Sequence, residues 1–373
     1  MICSSMVTLL LLGAGKIGSA IARVLAGSGD YSVRVADIDP LALARLQGLP
    51  GLSTQTVQVD DADALAHAML GCQVVVSALS YHANARIAAA ALRAGASYFD
   101  LTEDVATTRA VRSCAENAGV GQIFMPQCGL APGFINILAY DLTRRFESLD
   151  EVRLRVGALA QFPTGELKYN LTWSTDGLIN EYCNPCEAII AGQKVEVQAL
   201  EGLEHFALDG IDYEAFNTSG GLGTLWETLA GRVRCLDYKT VRYRGHRDLM
   251  HFLIREMRLG ERREVLKDML EQAVPGTQQD VILIFAVVTG KREGVFTQVS
   301  DARKIYHTER ADGLWSGIQL TTAHSVCAVV DLHCQGHLPK RGFVRQEQVV
   351  LAEFLANRFG SVYRTQAQPA SSL

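Results

Sequence analysis

The chain has 373 residues, with 35 Lys and Arg against 40 Asp and Glu, a formal net charge of −5. That length points to two domains, and 48% hydrophobic against 20% charged residues excludes a chain disordered by composition. The acidic balance argues against nucleic acid as a partner, and no apolar run reaches the roughly 18 residues of a membrane span. The apolar run at 7–12 has no basic segment before it and is not read as a signal peptide. Nine cysteines are too sparse and irregular for a disulfide framework, so reduced thiols in a cytoplasm are expected.

Residues 7–12 (VTLLLL) read as a buried strand and run directly into Gly13-Ala14-Gly15-Lys16-Ile17-Gly18, followed by a helical pattern over 19–26. This strand–GxGxxG–helix order is the context a dinucleotide fingerprint requires. Gly13 serves the tight turn, Gly15 the approach of a pyrophosphate and Gly18 the packing of helix on strand, with Lys16 and Ile17 between them. A second strand, 31–36, ends at Asp37, 19 residues after Gly18. A carboxylate there suits an adenosine ribose and repels a 2′-phosphate. Ile38 and Asp39 follow with no Arg, so NAD is expected in preference to NADP.

Further strands are predicted at 54–59, 73–79, 97–99 and 121–125, with helices at 61–70, 83–94 and 104–118. The alternation predicts a doubly wound parallel sheet, an α/β Rossmann domain over 1–125. Ligands of such sheets sit beyond the carboxyl ends of the strands, which singles out Ser77–His82, with Ala78, Leu79, Tyr81 and His82, then Asp100–Thr102, then Gln127–Gly133.

After about residue 150 the rhythm changes. Strands are predicted at 151–158, 168–174, 194–199, 233–243, 281–289 and 295–306, and helices at 177–191, 246–259, 261–272 and 316–334. This reads as a second, α+β domain over 126–334 for substrate and dimerisation, with C-terminal helices in 335–363 packing back on the first. The tail from Arg364 onward is polar and expected to fray.

LGAGKIG (12–18), ADID (36–39), CGLAPGFINILA (128–139), NTSGG (217–221), YKTVRYRGH (238–246) and KRGF (340–343) together resemble the saccharopine dehydrogenase family, in the family's order and over nearly the whole chain. The resemblance implies NAD(P)-dependent redox chemistry at a C–N bond of an amino acid or its imine adduct. Ala131 before Pro132-Gly133 is similar to the lysine 6-dehydrogenase branch. Cys128 before Gly129-Leu130 is similar to the saccharopine reductase branch, so the substrate stays open. The resemblance also implies a substrate-side role for Asp100 as amine partner or proton acceptor, and substrate contacts from Thr218, Ser219 and Gly220.

The chemistry needs an anchor for carboxylate, and Arg242 is the first candidate, because a guanidinium meets a carboxylate with two parallel hydrogen bonds. The alternative is a strand Arg in a solvated ladder. Around it, 232–263 holds ten Lys and Arg against four Asp and Glu, a surplus that suits an acidic substrate or simply a solvated face. Cys128 reads as a proton relay beside the nicotinamide or as a small buried thiol. Gly129 and Pro132 shape the loop; His82 and His246 are candidate substrate contacts or ordinary structural residues. Cys183-Asn-Pro-Cys186 and the group His333, Cys334, His337 lack four-ligand spacing, and no metal is expected. A small amino-acid substrate and a homodimer complete the expectation. The rival reading is an inactive NAD-binding sensor or partner subunit.

Overall fold

A computed structural model describes residues 6–364. Two sheets organise them. In the first, β1 (Val7–Leu12), β2 (Tyr31–Asp37), β3 (Leu52–Thr56), β4 (Val74–Ser77), β5 (Ser97–Asp100) and β6 (Ile123–Met125) are all parallel, in the spatial order 3-2-1-4-5-6. Leu9 to Leu12 are fully buried, as a central parallel strand covered on both faces requires. A seventh strand, Gly342–Phe343, comes from the far end of the sequence and pairs parallel with β6.

The second sheet is mixed and eight-stranded. Its main path contains β7 (Ser148–Ala160), β10 (Glu204–Leu208), β11 (Ile211–Asn217), β12 (Cys235–Tyr243), β13 (Asp280–Arg292) and β14 (Val295–Tyr306), in the order 10-11-12-7-13-14. The strands β8 (Cys186–Ile190) and β9 (Gln193–Val197) hang from β12. Only the β7–β12 pairing is parallel on the main path. One face, including Val152, Leu154, Ile282 and Ile284, joins the same core as the helix Phe134–Thr143 and the Rossmann residues Leu9 and Leu11. The helix Gly317–Cys334 lies against the helix Lys16–Ala26, and Tyr31 donates its hydroxyl to Asp331 at 2.7 Å. The two domains therefore share a continuous apolar interior.

Three departures from the sequence reading have local causes. Residues 168–174 form no strand; Leu171 makes a single bridge to Gly276. The helix predicted over 177–191 stops at Cys183, because Pro185 holds Asn184 extended (φ −92°, ψ 152°) and the backbone turns into β8. The hairpin β10–β11 was not predicted, although Asp209-Gly210, both at positive φ, form the two-residue turn that such hairpins favour. The residues beyond 364, predicted to fray, lie outside the described ones.

Candidate active site

The glycine loop is built around one close approach. A Cβ on Gly18 would lie 1.9 Å from the Gly13 carbonyl oxygen, so the first turn of the helix can sit against the loop only if this residue is glycine. The Gly13 amide donates to the Ala36 carbonyl at 2.8 Å, and the Ala14 amide donates to Asp37 Oδ2 at 2.6 Å. Asp37 Oδ1 accepts from the Asp39 amide at 2.9 Å. Asp37 thus ties the end of β2 to the loop, and Ile38 beside it is exposed.

A Cβ on Gly15 would meet nothing within 4 Å. The helix Lys16–Ala26 starts with no capping side group and no acid in its first turn. Free amides, a positive dipole end and open space fit a dinucleotide pyrophosphate. Lys16 turns away: its Nζ donates to the Thr172 carbonyl at 2.6 Å, joining the loop to the second domain.

Beyond the strand ends lies a cavity of about 400 Å³. Ile17, Ala78, Leu79 and Tyr81 form its nucleotide side, Gly129 and Pro132 its floor, and Trp173, Tyr238, Thr240 and Arg242 its far wall. Arg242 lies on β12, is 2% exposed and forms no ion pair among the described residues. Its Nε donates to the Tyr182 hydroxyl at 2.9 Å and its Nη1 to the Val241 carbonyl at 2.9 Å. Tyr182 lies 3.0 Å from Nε2 of His246, whose Nδ1 lies 2.9 Å from the Leu167 carbonyl. A carbonyl only accepts, so Nδ1 carries the proton, Nε2 accepts from Tyr182, and the Tyr182 oxygen is left to accept from Arg242. Burial, then the Arg242 charge, pushes His246 down to about 3, so it stays neutral and serves to orient Tyr182.

The remaining Lys and Arg of the basic stretch do not share this environment. Arg234 pairs with Asp150 and Glu151, Lys239 with Glu204, and Arg247 with Glu201 and Asp248. Among the described residues Arg242 is the only cation lining the cavity.

Asp100 is fully buried and outside the cavity lining. Its carboxylate accepts from Tyr98 at 2.8 Å, the Thr102 amide at 2.9 Å and the Gln127 amide at 3.1 Å, so it pins the loops after β5 and β6. Burial raises it to about 6. Cys128 is likewise buried behind the wall, its thiol donating to the Met125 carbonyl at 3.0 Å. Burial pushes that thiol far up, which suits a packing residue. Thr218, Ser219 and Gly220 stand behind the lining: Thr218 bonds Thr240 at 2.9 Å, Ser219 donates to the Asn180 carbonyl at 3.2 Å, and Gly220 packs on the Glu103 backbone. His82 is exposed, its ring 4.0 Å from that of Tyr81.

Among the lining residues that escaped the sequence reading are two acids with no ion-pair partner among the described residues, Glu103 and Glu181. Glu103, half-buried, accepts from Asn180 Nδ2 at 3.4 Å. Glu181, 5% exposed, lines the cavity, and no donor among the described residues reaches its carboxyl. Burial raises Glu103 to about 7 and Glu181 to about 8. Glu181 follows Leu178 by three positions, so a carboxylate on the buried stripe of a helix was the available signal. No group of three or more His, Cys, Asp or Glu able to hold a metal occurs among the described residues.

These raised carboxyls bear on stability. Glu103, Glu181 and Glu347, the last also raised by burial to about 7, ionise near 4.5 in the unfolded state. Between those values the fold holds more protons than the unfolded state, so its stability falls as pH rises through that window. His246, and His324 and His333 lowered by burial to about 4, act oppositely but only below about 6.5. The melting temperature is therefore expected to drop between pH 6.5 and pH 8.5 in scanning calorimetry; a rise over that interval would contradict the assignment.

The fold and loop define a dinucleotide-binding domain joined to a second domain, with the cavity lined by residues of both. Residues 9–123 match the family model described as saccharopine dehydrogenase NADP binding domain, and residues 129–359 match the saccharopine dehydrogenase C-terminal domain. The chain belongs to the saccharopine dehydrogenase family. Among solved structures it is similar to apo saccharopine dehydrogenase (L-Glu forming) from Saccharomyces cerevisiae, at 15% identity and a TM-score of 0.76, covering 95% of this chain and 96% of that one. Apo scyllo-inositol dehydrogenase from Lactobacillus casei aligns at 9% identity and a TM-score of 0.51, covering 97% of each. At these identities the likeness is one of fold. No helix among the described residues is long and apolar enough to cross a membrane.

Proposed function

We propose that the protein is an NAD-dependent oxidoreductase that oxidises the C–N bond at the side-chain amine of a basic amino acid, in the manner of a lysine 6-dehydrogenase. The observation that carries this reading is the cavity's charge: one buried cation, Arg242, facing the carboxyls of Glu103, Asp176 and Glu181. One guanidinium suits one carboxylate. Two acids without a cationic partner, Glu103 and Glu181, suit the amines of a diamino acid. Asp176 already pairs with Lys267 at 2.8 Å. A tricarboxylate such as saccharopine would bring two further anions against those acids, with no further cation to meet them.

When bound, an oxidised nicotinamide accepts the hydride that leaves the substrate carbon. Arg242 holds the carboxylate at the far wall and thereby fixes how deep the rest of the substrate reaches. Leu79, Leu130 and Ile318 give the nicotinamide side of the cavity an apolar surface that excludes water.

The test is cofactor reduction with purified protein, NAD and L-lysine, with saccharopine in parallel. Turnover of lysine with little of saccharopine supports the reading; turnover of neither rejects it. Asp37 favours NAD, because a 2′-phosphate near its carboxylate meets like charge. NAD is expected to exceed NADP by at least about tenfold in kcat/KM, a difference of about 1.4 kcal/mol. Asp37→Asn is expected to narrow that gap, and an unchanged ratio would show that Asp37 does not discriminate.

A further inference from the structure

We infer that Glu181 is the proton acceptor for the substrate amine, with Glu103 as the neighbouring acid that tunes it. The inference deepens the proposed function and rests on it.

Three observations select Glu181 over the other acids. It is the most deeply buried carboxyl lining the cavity, at 5% exposure. It has no hydrogen-bond donor among the described residues, whereas Glu103 is held by Asn180 and Asp176 by Lys267. A carboxyl on a residue this buried, with no donor from the protein, leaves its hydrogen-bonding capacity to whatever occupies the cavity. Asp100, the alternative, has three donors already and does not reach the cavity.

Position agrees with the role. Glu181 sits one residue before Tyr182, the hydroxyl that orients Arg242, so one helical turn carries both the carboxyl and the support of the carboxylate anchor. Its backbone carbonyl accepts from the Ser219 amide at 3.0 Å, which fixes this end of the helix against the 217–221 loop.

The charged and titratable groups facing Glu181 are Arg242 and Tyr238 on β12, Glu103 after β5, Tyr169, its own neighbour Tyr182, and Cys186 on β8. Arg242 favours its ionised form, and Glu103 disfavours it. A carboxyl brought into the range of neutral pH can take a proton from an ammonium and return it, which an ordinary Glu does poorly.

In the oxidative direction the substrate ammonium passes one N–H proton to the Glu181 carboxylate, which becomes the acid. The C–H bond on the adjacent carbon then breaks with its electron pair leaving as hydride to NAD, while the nitrogen lone pair forms the C=N bond of an iminium. In the reverse direction the Glu181 acid returns the proton to the amine nitrogen.

The pH dependence of kcat/KM with L-lysine and NAD tests this in the wild type and three variants. The wild type is expected to gain activity through a limb near pH 8. Glu181→Gln is expected to lose that limb and about 10²–10⁴-fold in kcat, while its affinity for L-norleucine, which has the carboxylate but no side-chain amine, stays within about threefold by calorimetry. Its melting temperature is expected to match or exceed the wild type, because an unpaired buried carboxyl is gone. Glu181→Asp restores the limb at reduced kcat, and Glu103→Gln moves the limb to lower pH by removing a like charge. A Glu181→Gln protein that keeps both limb and kcat, or a limb that stays put in Glu103→Gln, overturns the inference and leaves the proposed function standing. A wild type that turns over no amine overturns the proposed function, and this inference falls with it.

Discussion

Arg242→Ala is expected to lower kcat/KM for the amino-acid substrate by roughly 10²–10³-fold, mostly through KM, with little change in KM for NAD. The size follows from about 3–4 kcal/mol for removing one partner of a buried, hydrogen-bonded charge pair. Arg242 is oriented in advance by Tyr182 and, through it, by the neutral His246, so little ordering remains to be done when the carboxylate arrives. Arg242→Lys keeps the charge but loses the planar fork, and about a tenfold loss is expected. Steady-state kinetics across the three proteins checks this; an unchanged KM in Arg242→Ala would remove Arg242 as the anchor. The same substitution should not unfold the protein, because an unpaired buried cation contributes little to holding the fold.

Gly133→Ala is expected to be the most damaging single-methyl addition in the molecule. Gly133 adopts φ 141°, ψ −112°, a region essentially closed to other residues. A Cβ there would stand 1.8 Å from the Gly129 carbonyl oxygen and 2.5 Å from its carbon, both backbone atoms that cannot swing aside. Relief must move Gly129 or the start of the helix Phe134–Thr143, and that helix packs in the core shared by both domains. A loss of about 4 kcal/mol is expected, or roughly 5 °C in melting temperature for a chain of this length. Activity should fall further than stability, because Gly129 and Pro132 form the cavity floor. Gly165→Ala is the control: its φ is also positive, at 70°, but a Cβ there meets nothing within 4 Å. A shift below about 2 °C for Gly133→Ala would mean that the loop relaxes freely.

The nucleotide domain was legible because its signals are local. An apolar run, a glycine loop and an amphipathic helix follow one another within about 20 residues, and Asp37 stands at the next strand end. The seventh strand was not, because Gly342–Phe343 is only two residues long and owes its strand to the waiting edge of β6. In the second domain, Pro185 and the Asp209-Gly210 turn carried legible information that outweighed the apolar patterns around them. Arg242 stood out by its motif. Glu181 did not, because a single acid on a helix reads as a solvated side group until the fold shows which face is covered. Asp100 and Cys128 illustrate the converse: both lie at strand ends near the site, yet their polar atoms are turned to the backbone that shapes it.

The central claim is that the cavity holds an amino acid with its carboxylate on Arg242 and its reacting amine at Glu181. A crystal structure of the protein with NAD and L-norleucine or L-lysine tests it most directly. The carboxylate is expected within hydrogen-bond distance of the Arg242 guanidinium and, with lysine, the side-chain nitrogen at the Glu181 carboxyl on the nicotinamide side. Arg242 paired instead with Glu181, or the ligand carboxylate bound away from Arg242, would contradict it.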